Sequence, residues 1–142
     1  MLKSRKRAKF TLKFILVLVY GGYMAKVLIV DDSPTETYKL TSMLEKHGYV
    51  VSSASSGADG VAKAKAERPD LVLMDVVMPG LNGFQATRQL TKAPETSGIP
   101  VVIVTTKDQE TDRVWGMRQG AKAYLTKPVD EPQLIKTITS LE

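Results

Sequence analysis

Asp75 closes the apolar run Leu71-Val72-Leu73-Met74, Asp31-Asp32 follow Val27-Leu28-Ile29-Val30, Thr105 follows Val101-Val102-Ile103-Val104, and Lys127-Pro128 comes shortly after Ala123-Tyr124-Leu125. Singly these residues say little, because aspartate commonly ends strands and starts turns. Together they form a chemical set of three carboxylates, one hydroxyl and one ammonium, each just past a predicted strand. Three carboxylates brought within a few ångströms repel one another, so either a pKa rises or a cation binds. Oxygen-only ligands without His or Cys favour Mg²⁺, which keeps several waters and accepts a phosphate oxygen. An aspartate beside such an ion is a nucleophile toward phosphorus and forms an aspartyl phosphate. Lys127 can neutralise equatorial phosphoryl oxygens, and the Thr105 hydroxyl can donate a hydrogen bond to one of them.

The elements that must position these groups alternate. Lys26–Val30 is a β-branched run ending in two acids, the pattern of a buried parallel strand. Ser33 or Asp32 can cap the following helix, which is expected to turn Tyr38, Leu40, Met43 and Leu44 toward the core and to stop near Lys46-His47-Gly48. A second strand is expected at Val50–Ala54 and a second helix at Gly57–Glu67, ended by Pro69. A third strand spans Leu71–Met74, and its helix begins after Pro79-Gly80-Leu81-Asn82-Gly83. Pro100 introduces a fourth strand, Val101–Val104, and Asp108 is expected to open the fourth helix. Ala123–Leu125 is a short fifth strand, and Asp130 caps a last helix through Leu141. Five strands alternating with five helices predict an α/β fold, a doubly wound parallel sheet with helices on both faces, because parallel strands need crossovers. The residue pattern leaves strand order open. In the order 2-1-3-4-5, Asp31, Asp32 and Asp75 meet in the crevice at the carboxyl ends of the first and third strands.

A length of 142 residues fits one domain of ordinary size, and 43% hydrophobic with 25% charged residues is globular composition. The absence of Cys removes disulfide and thiol chemistry and is compatible with a reducing compartment. The formal net charge of +5 raises the question of a nucleic acid or an anionic membrane. Its distribution argues against the first. Lys3, Arg5, Lys6, Arg7, Lys9 and Lys13 lie in residues 1–23 with no acid, which leaves the rest of the chain with 14 basic against 15 acidic residues. That remainder also lacks a nucleic-acid-binding signature. The apolar stretch Phe14–Tyr20 is far shorter than the roughly 20 residues that span a bilayer. Residues 1–23 are therefore expected to be a tail or an over-extended start, with a surface anchor or export signal as alternatives, and no stable membrane insertion is expected. Residues 24–142 are expected to form the functional domain.

Val30-Asp31-Asp32-Ser33, Leu73-Met74-Asp75-Val76-Val77-Met78-Pro79-Gly80, Val104-Thr105-Thr106 and Lys127-Pro128 resemble the response-regulator receiver family over residues 24–142. The resemblance implies the flavodoxin-like order 2-1-3-4-5 and phosphorylation of Asp75 by a histidine kinase. It implies Mg²⁺ held by Asp32, Asp75 and the Val77 carbonyl, with Asp31 acting mostly through water. Thr105 and Tyr124 would be a switch pair in which the hydroxyl moves toward the phosphoryl group and the ring turns inward, and Lys127-Pro128 would be cis. An intracellular phosphodonor places such a protein in the cytoplasm. The segments Asp32–Glu36, Gly80–Leu90 and Thr105–Asp112 further resemble regulators of the chemotaxis-like system controlling type IV pili and twitching motility.

Two departures stand out. Val77 replaces the polar residue often found two positions after the phosphorylated aspartate, which implies slow self-dephosphorylation, and Thr106 is larger than the Ala or Gly many receivers carry there. Val77 also argues against an acid phosphohydrolase, whose pattern resembles one with a second Asp at that position. Because the chain ends about one helix after Lys127-Pro128, output is expected through a downstream pilus-motor or regulatory protein on the face of the fourth helix, fifth strand and fifth helix. The alternative is a phosphate sink that drains the kinase of a sister regulator. Trp115 is expected either to pack partly toward the last helix or to anchor that partner. His47 reads as a helix-end cation, and Met74 and Met78 read as packing residues.

Overall fold

The computed structural model describes residues 25–141, so the N-terminal extension read from residues 1–23 lies outside the described residues. Five strands, β1 (Lys26–Val30), β2 (Val50–Ala54), β3 (Leu71–Met74), β4 (Val101–Thr105) and β5 (Ala123–Thr126), alternate with α1 (Pro34–Lys46), α2 (Gly57–Glu67), α3 (Gly83–Lys92), α4 (Glu110–Arg118) and α5 (Glu131–Ser140). All pairings are parallel, in the order β2-β1-β3-β4-β5. The expected doubly wound sheet is thus the observed one.

The three central strands are apolar on both faces because helices cover both. On one side Val27, Ile29, Leu73, Val102 and Val104 pack with Leu40 and Leu44 of α1 and Leu134 and Ile138 of α5. On the other, Leu28, Val30, Val72 and Met74 pack with Val61 and Ala64 of α2 and Ala86 and Leu90 of α3. Alternate residues of one strand therefore serve opposite layers. Each fully buried Leu or Ile contributes roughly 1.5–3 kcal/mol, which anchors the strand ends that carry the polar groups.

Helix starts follow the expected chemistry. Ser33 Oγ accepts from the Glu36 N–H at 3.3 Å, and Asp130 accepts from the Gln133 N–H at 3.2 Å. Asn82 and Gln85 cap α3 reciprocally, at 2.9 and 3.0 Å.

Three expectations need correction. Tyr38 is 74% exposed, not turned to the core. It stands two residues before Leu40, about 200° around a helix of 3.6 residues per turn, so it faces away from the buried Leu40–Leu44 stripe. Asp108 does not open α4. That helix begins at Glu110 after Gln109, whose N–H donates to Asp112 Oδ2 at 3.3 Å, so residues 106–109 form a loop. β4 and β5 each run one residue further than expected, to Thr105 and Thr126.

Candidate phosphoryl-transfer site

The sheet places the acids through its backbone ladder. The Asp31 N–H donates to the Ala54 carbonyl at 3.1 Å and the Asp75 N–H to the Val30 carbonyl at 2.9 Å, so both aspartates leave the sheet at the same end of adjacent strands. Carboxylate oxygens of Asp31, Asp32 and Asp75 all lie within 4.8 Å of one another. Lys127 arrives from the end of β5, with its N–H on the Thr105 carbonyl at 2.8 Å and a cis bond to Pro128, as the resemblance implied. Its ammonium donates to Asp31 Oδ2 at 2.7 Å and lies 3.5 Å from Asp75 Oδ2.

The carboxylates differ in what already holds them. Asp31 uses both oxygens, one on Lys127 and the other accepting from the Ser33 N–H at 2.8 Å. Asp75 Oδ1 accepts from the Val76 N–H at 2.7 Å, with the Val77 N–H at 3.4 Å. Asp32 is exposed. Asp32 and Asp75 thus offer oxygens to a hard cation while Asp31 is better placed to reach it through water, a donor set that fits Mg²⁺.

Burial raises the pKa of Asp75, and the nearby Asp31 charge pushes the same way, while Lys127, the Thr105 hydroxyl and the Val76 N–H pull it down without cancelling the rise. For Lys127 burial is the largest single influence and opposes its charge. The Asp31 hydrogen bond and the charges of Asp75, Asp31 and Glu36 outweigh it, so its pKa is raised. The site is a buried ammonium between two carboxylates, with negative charge in excess, which a divalent cation would offset.

A cleft of about 530 Å³ opens beside Asp32 and is lined also by Val77, Met78, Asn82, Phe84 and Lys107, among others. Val77 is 52% exposed there and presents only methyl groups to the entrance. Thr105 is buried, and its Oγ accepts from the Lys107 N–H at 3.4 Å. Tyr124 lies on the far side of the 106–109 loop. Its ring is buried with Val76, Ile103 and Ala121, and its hydroxyl donates to the Lys107 carbonyl at 2.8 Å. Asp31, Asp32, Asp75, Lys127 and Thr105 are therefore gathered, Val77 sits at the mouth, and Tyr124 is one loop away.

Burial pushes the Tyr124 phenol up to about 12, helped by Asp112 and opposed by Arg113. Its neutral form therefore stabilises the fold fully below pH 10, and that contribution is lost as pH rises toward about 12. An ultraviolet titration of the full chain should show a tyrosine step near pH 12 that is missing from Tyr124→Phe. Loss of an ordinary step near pH 10 in Tyr124→Phe, with the late step retained, would contradict this placement.

His47 caps α1, 3.5 Å from Glu131 Oε2 at the start of α5, a structural helix-end position. Met74 and Met78 are buried packing residues, as expected. Trp115 is half exposed on α4 beside the exposed Val114 and Met117. Sequence reasoning passed over Lys107, Phe84 and Arg113. Arg113 lies three residues before Gly116, and that spacing, which puts a cation and a gap on one helix face against β5, was the available signal.

The family model described as the response regulator receiver domain matches residues 27–139. Protein PilH of Pseudomonas aeruginosa is 74% identical over 118 residues, 83% of this chain and 98% of that protein. The chemotaxis protein CheY4 of Vibrio cholerae superposes with a TM-score of 0.78 at 32% identity, covering 84% of this chain and 99% of that one. A CheX–CheY–BeF3–Mg complex from Borrelia burgdorferi matches with a TM-score of 0.78 at 25% identity, over 82% of this chain and 88% of its own.

Proposed function

Because this chain belongs to the response-regulator receiver family, we propose that Asp75 is its phosphoacceptor and that it relays signals in a chemotaxis-like pathway controlling type IV pilus twitching motility. The observation that carries the first part is the cluster itself, with Asp31, Asp32 and Asp75 oxygens within 4.8 Å and Lys127 against two of them. A carboxylate oxygen of Asp75 attacks phosphorus of a phosphohistidine. The new O–P bond forms as the P–N bond breaks, and the imidazole leaves with a proton from water. Lys127 meets the charge on the phosphoryl oxygens, Thr105 donates a hydrogen bond to one of them, and the Val76 and Val77 N–H groups hold the acceptor carboxylate in place. Mg²⁺, held by Asp32, Asp75 and the Val77 carbonyl with Asp31 through water, would neutralise charge between acceptor and donor. The Borrelia CheX–CheY–BeF3–Mg complex supports this reading.

The pathway rests on the 74% identity to PilH and on the likeness of the segments around Asp32, Gly80 and Thr105. Receivers work with histidine kinases and downstream proteins, and here the listener would dock where α4, β5 and α5 meet, with Val114, Trp115 and Met117 exposed nearby. Among the described residues no helix is long and apolar enough to cross a membrane, and a cytoplasmic site of action fits an intracellular phosphodonor. A phosphate-sink role is the alternative. A kinase that loses its phosphoryl group rapidly to this chain, with no motor or regulatory protein preferring either phosphoform, would favour the sink.

The test is phosphoryl capture from the kinase and from a small phosphodonor, followed by mass. One phosphoryl group per chain is expected with Mg²⁺, falling by at least about a hundredfold on chelation; undiminished capture in chelator would remove the metal from the scheme. A pathway test restores the chain to cells lacking their own PilH-like regulator, where unrestored twitching would overturn that assignment. Val77 brings no polar atom to orient an attacking water, so the phosphorylated chain should persist for about minutes or longer without a phosphatase. Gel-shift decay measurements showing loss within seconds would sink this expectation.

A further inference from the structure

Tyr124 is held by groups that take no part in phosphoryl chemistry. The Arg113 guanidinium lies over its ring, 5.2 Å from the centroid, and the same fork donates from Nη1 to the Tyr124 carbonyl at 3.1 Å and from Nη2 to Thr126 Oγ1 at 3.3 Å. Arg113 is therefore strapped to β5 at two points while it covers the ring. Near the ring edge α4 carries Gly116, where a Cβ would come within 3.1 Å of Tyr124 Cδ2 and 2.8 Å of Ile103 Cδ1. The missing side chain lets the ring sit close under the helix. The hydroxyl ends on the Lys107 carbonyl.

We propose that Arg113 is a positioning residue that holds Tyr124 inward before any phosphoryl group arrives. A planar, permanently charged fork suits this task, because it supplies two directed hydrogen bonds and a cation over the ring from one rigid group. The inward ring is then a property of the α4–β5 contact, and phosphorylation acts mainly on the 106–109 loop whose carbonyl the hydroxyl already holds. The consequence for signalling rests on the receiver reading; the Arg113–Tyr124 contact does not.

The experiment is NMR of the full chain with labelled tyrosine rings and isoleucine methyls, Tyr124 being assigned by Tyr124→Phe. The readout is the nuclear Overhauser contact between the Tyr124 ring and the Ile103 δ-methyl, with and without beryllofluoride and Mg²⁺. The intact chain should show the contact equally in both conditions. Arg113→Gln should weaken it about tenfold in the free chain and regain it with beryllofluoride, while Arg113→Lys, which keeps the charge without the fork, falls between. A contact that is as strong in free Arg113→Gln as in the intact chain would overturn the proposal, and so would one absent from the intact free chain. A purely structural role would lower melting temperature without making the contact depend on beryllofluoride. Should Arg113→Gln fail to fold, Thr126→Val removes one of the two straps and must loosen the ring in the same direction. Binding of beryllofluoride is followed separately by ¹⁹F signals; its absence would count against the receiver reading and leave the free-chain comparison to decide Arg113.

Discussion

Asp75→Asn is expected to cut phosphoryl capture by at least about a hundredfold and, in Mg²⁺-free buffer near neutrality, to raise the melting temperature. The first effect follows from chemistry, since an amide oxygen is a far poorer nucleophile toward phosphorus than a carboxylate and cannot form a stable acyl phosphate. The second follows from electrostatics. Burial and Asp31 raise the Asp75 pKa above its ordinary 3.8. A carboxyl whose pKa is raised by folding contributes its stability below 3.8 and loses it as pH climbs through the folded value. At neutral pH the intact chain therefore carries a cost that asparagine, with the same shape and no charge, does not. Thermal melts from acid to neutral pH should show the two proteins converging at the acid end and separating as pH rises. Adding Mg²⁺ should narrow the gap by stabilising the intact chain more. An asparagine variant that still accepts phosphate, or one less stable than the parent across the whole range, would contradict the assignment of Asp75.

Strand ends and helices explain how much of this could be read in advance. β1, β3 and β4 are apolar on both faces, a pattern that central parallel strands produce, so the residues closing them were legible as neighbours once the order was supplied. The order itself depends on which crossovers pass over which face, and no local pattern encodes that; it came from the family's motifs. Tyr38 was misplaced because an aromatic residue near a buried stripe was taken for part of it, although its angular position puts it opposite Leu40. The 106–109 loop was read as helix from Asp108 because acids commonly cap helices, whereas Gln109 and Asp112 close the first turn one residue later. Arg113 escaped although its spacing to Gly116 marks one helix face, because its partners, the Tyr124 carbonyl and the Thr126 hydroxyl, come from β5, and spacing within one element does not name contacts on another.

Gly83→Ala is expected to destabilise the fold by about 3 kcal/mol or more, close to the upper range for forcing extra volume into a packed site. A Cβ on Gly83 would run into the Asp75 carbonyl oxygen and come within 2.7 Å of the Asp75 carbonyl carbon and Val76 Cα. These atoms are backbone and cannot swing aside as a flexible side chain would. They are also the atoms the site depends on, because the Gly83 N–H donates to the Val76 carbonyl at 3.1 Å and thereby ties the start of α3 to the acceptor loop. Relief requires α3 to retreat or the Asp75–Val77 segment to shift, and the second would misalign the N–H groups that hold the Asp75 carboxylate. Phosphoryl capture should therefore fall along with stability. Gly80→Ala supplies the contrast. Nothing stands within 4 Å of a Cβ there, but its φ of +73° is left-handed, so only the backbone cost of about 1–2 kcal/mol applies. Chemical denaturation of both variants, with phosphoryl capture measured below their transitions, distinguishes the two mechanisms. A Gly83→Ala chain no less stable than Gly80→Ala, or one that captures phosphate at the parental rate, would show that the acceptor loop does not depend on the close approach of α3.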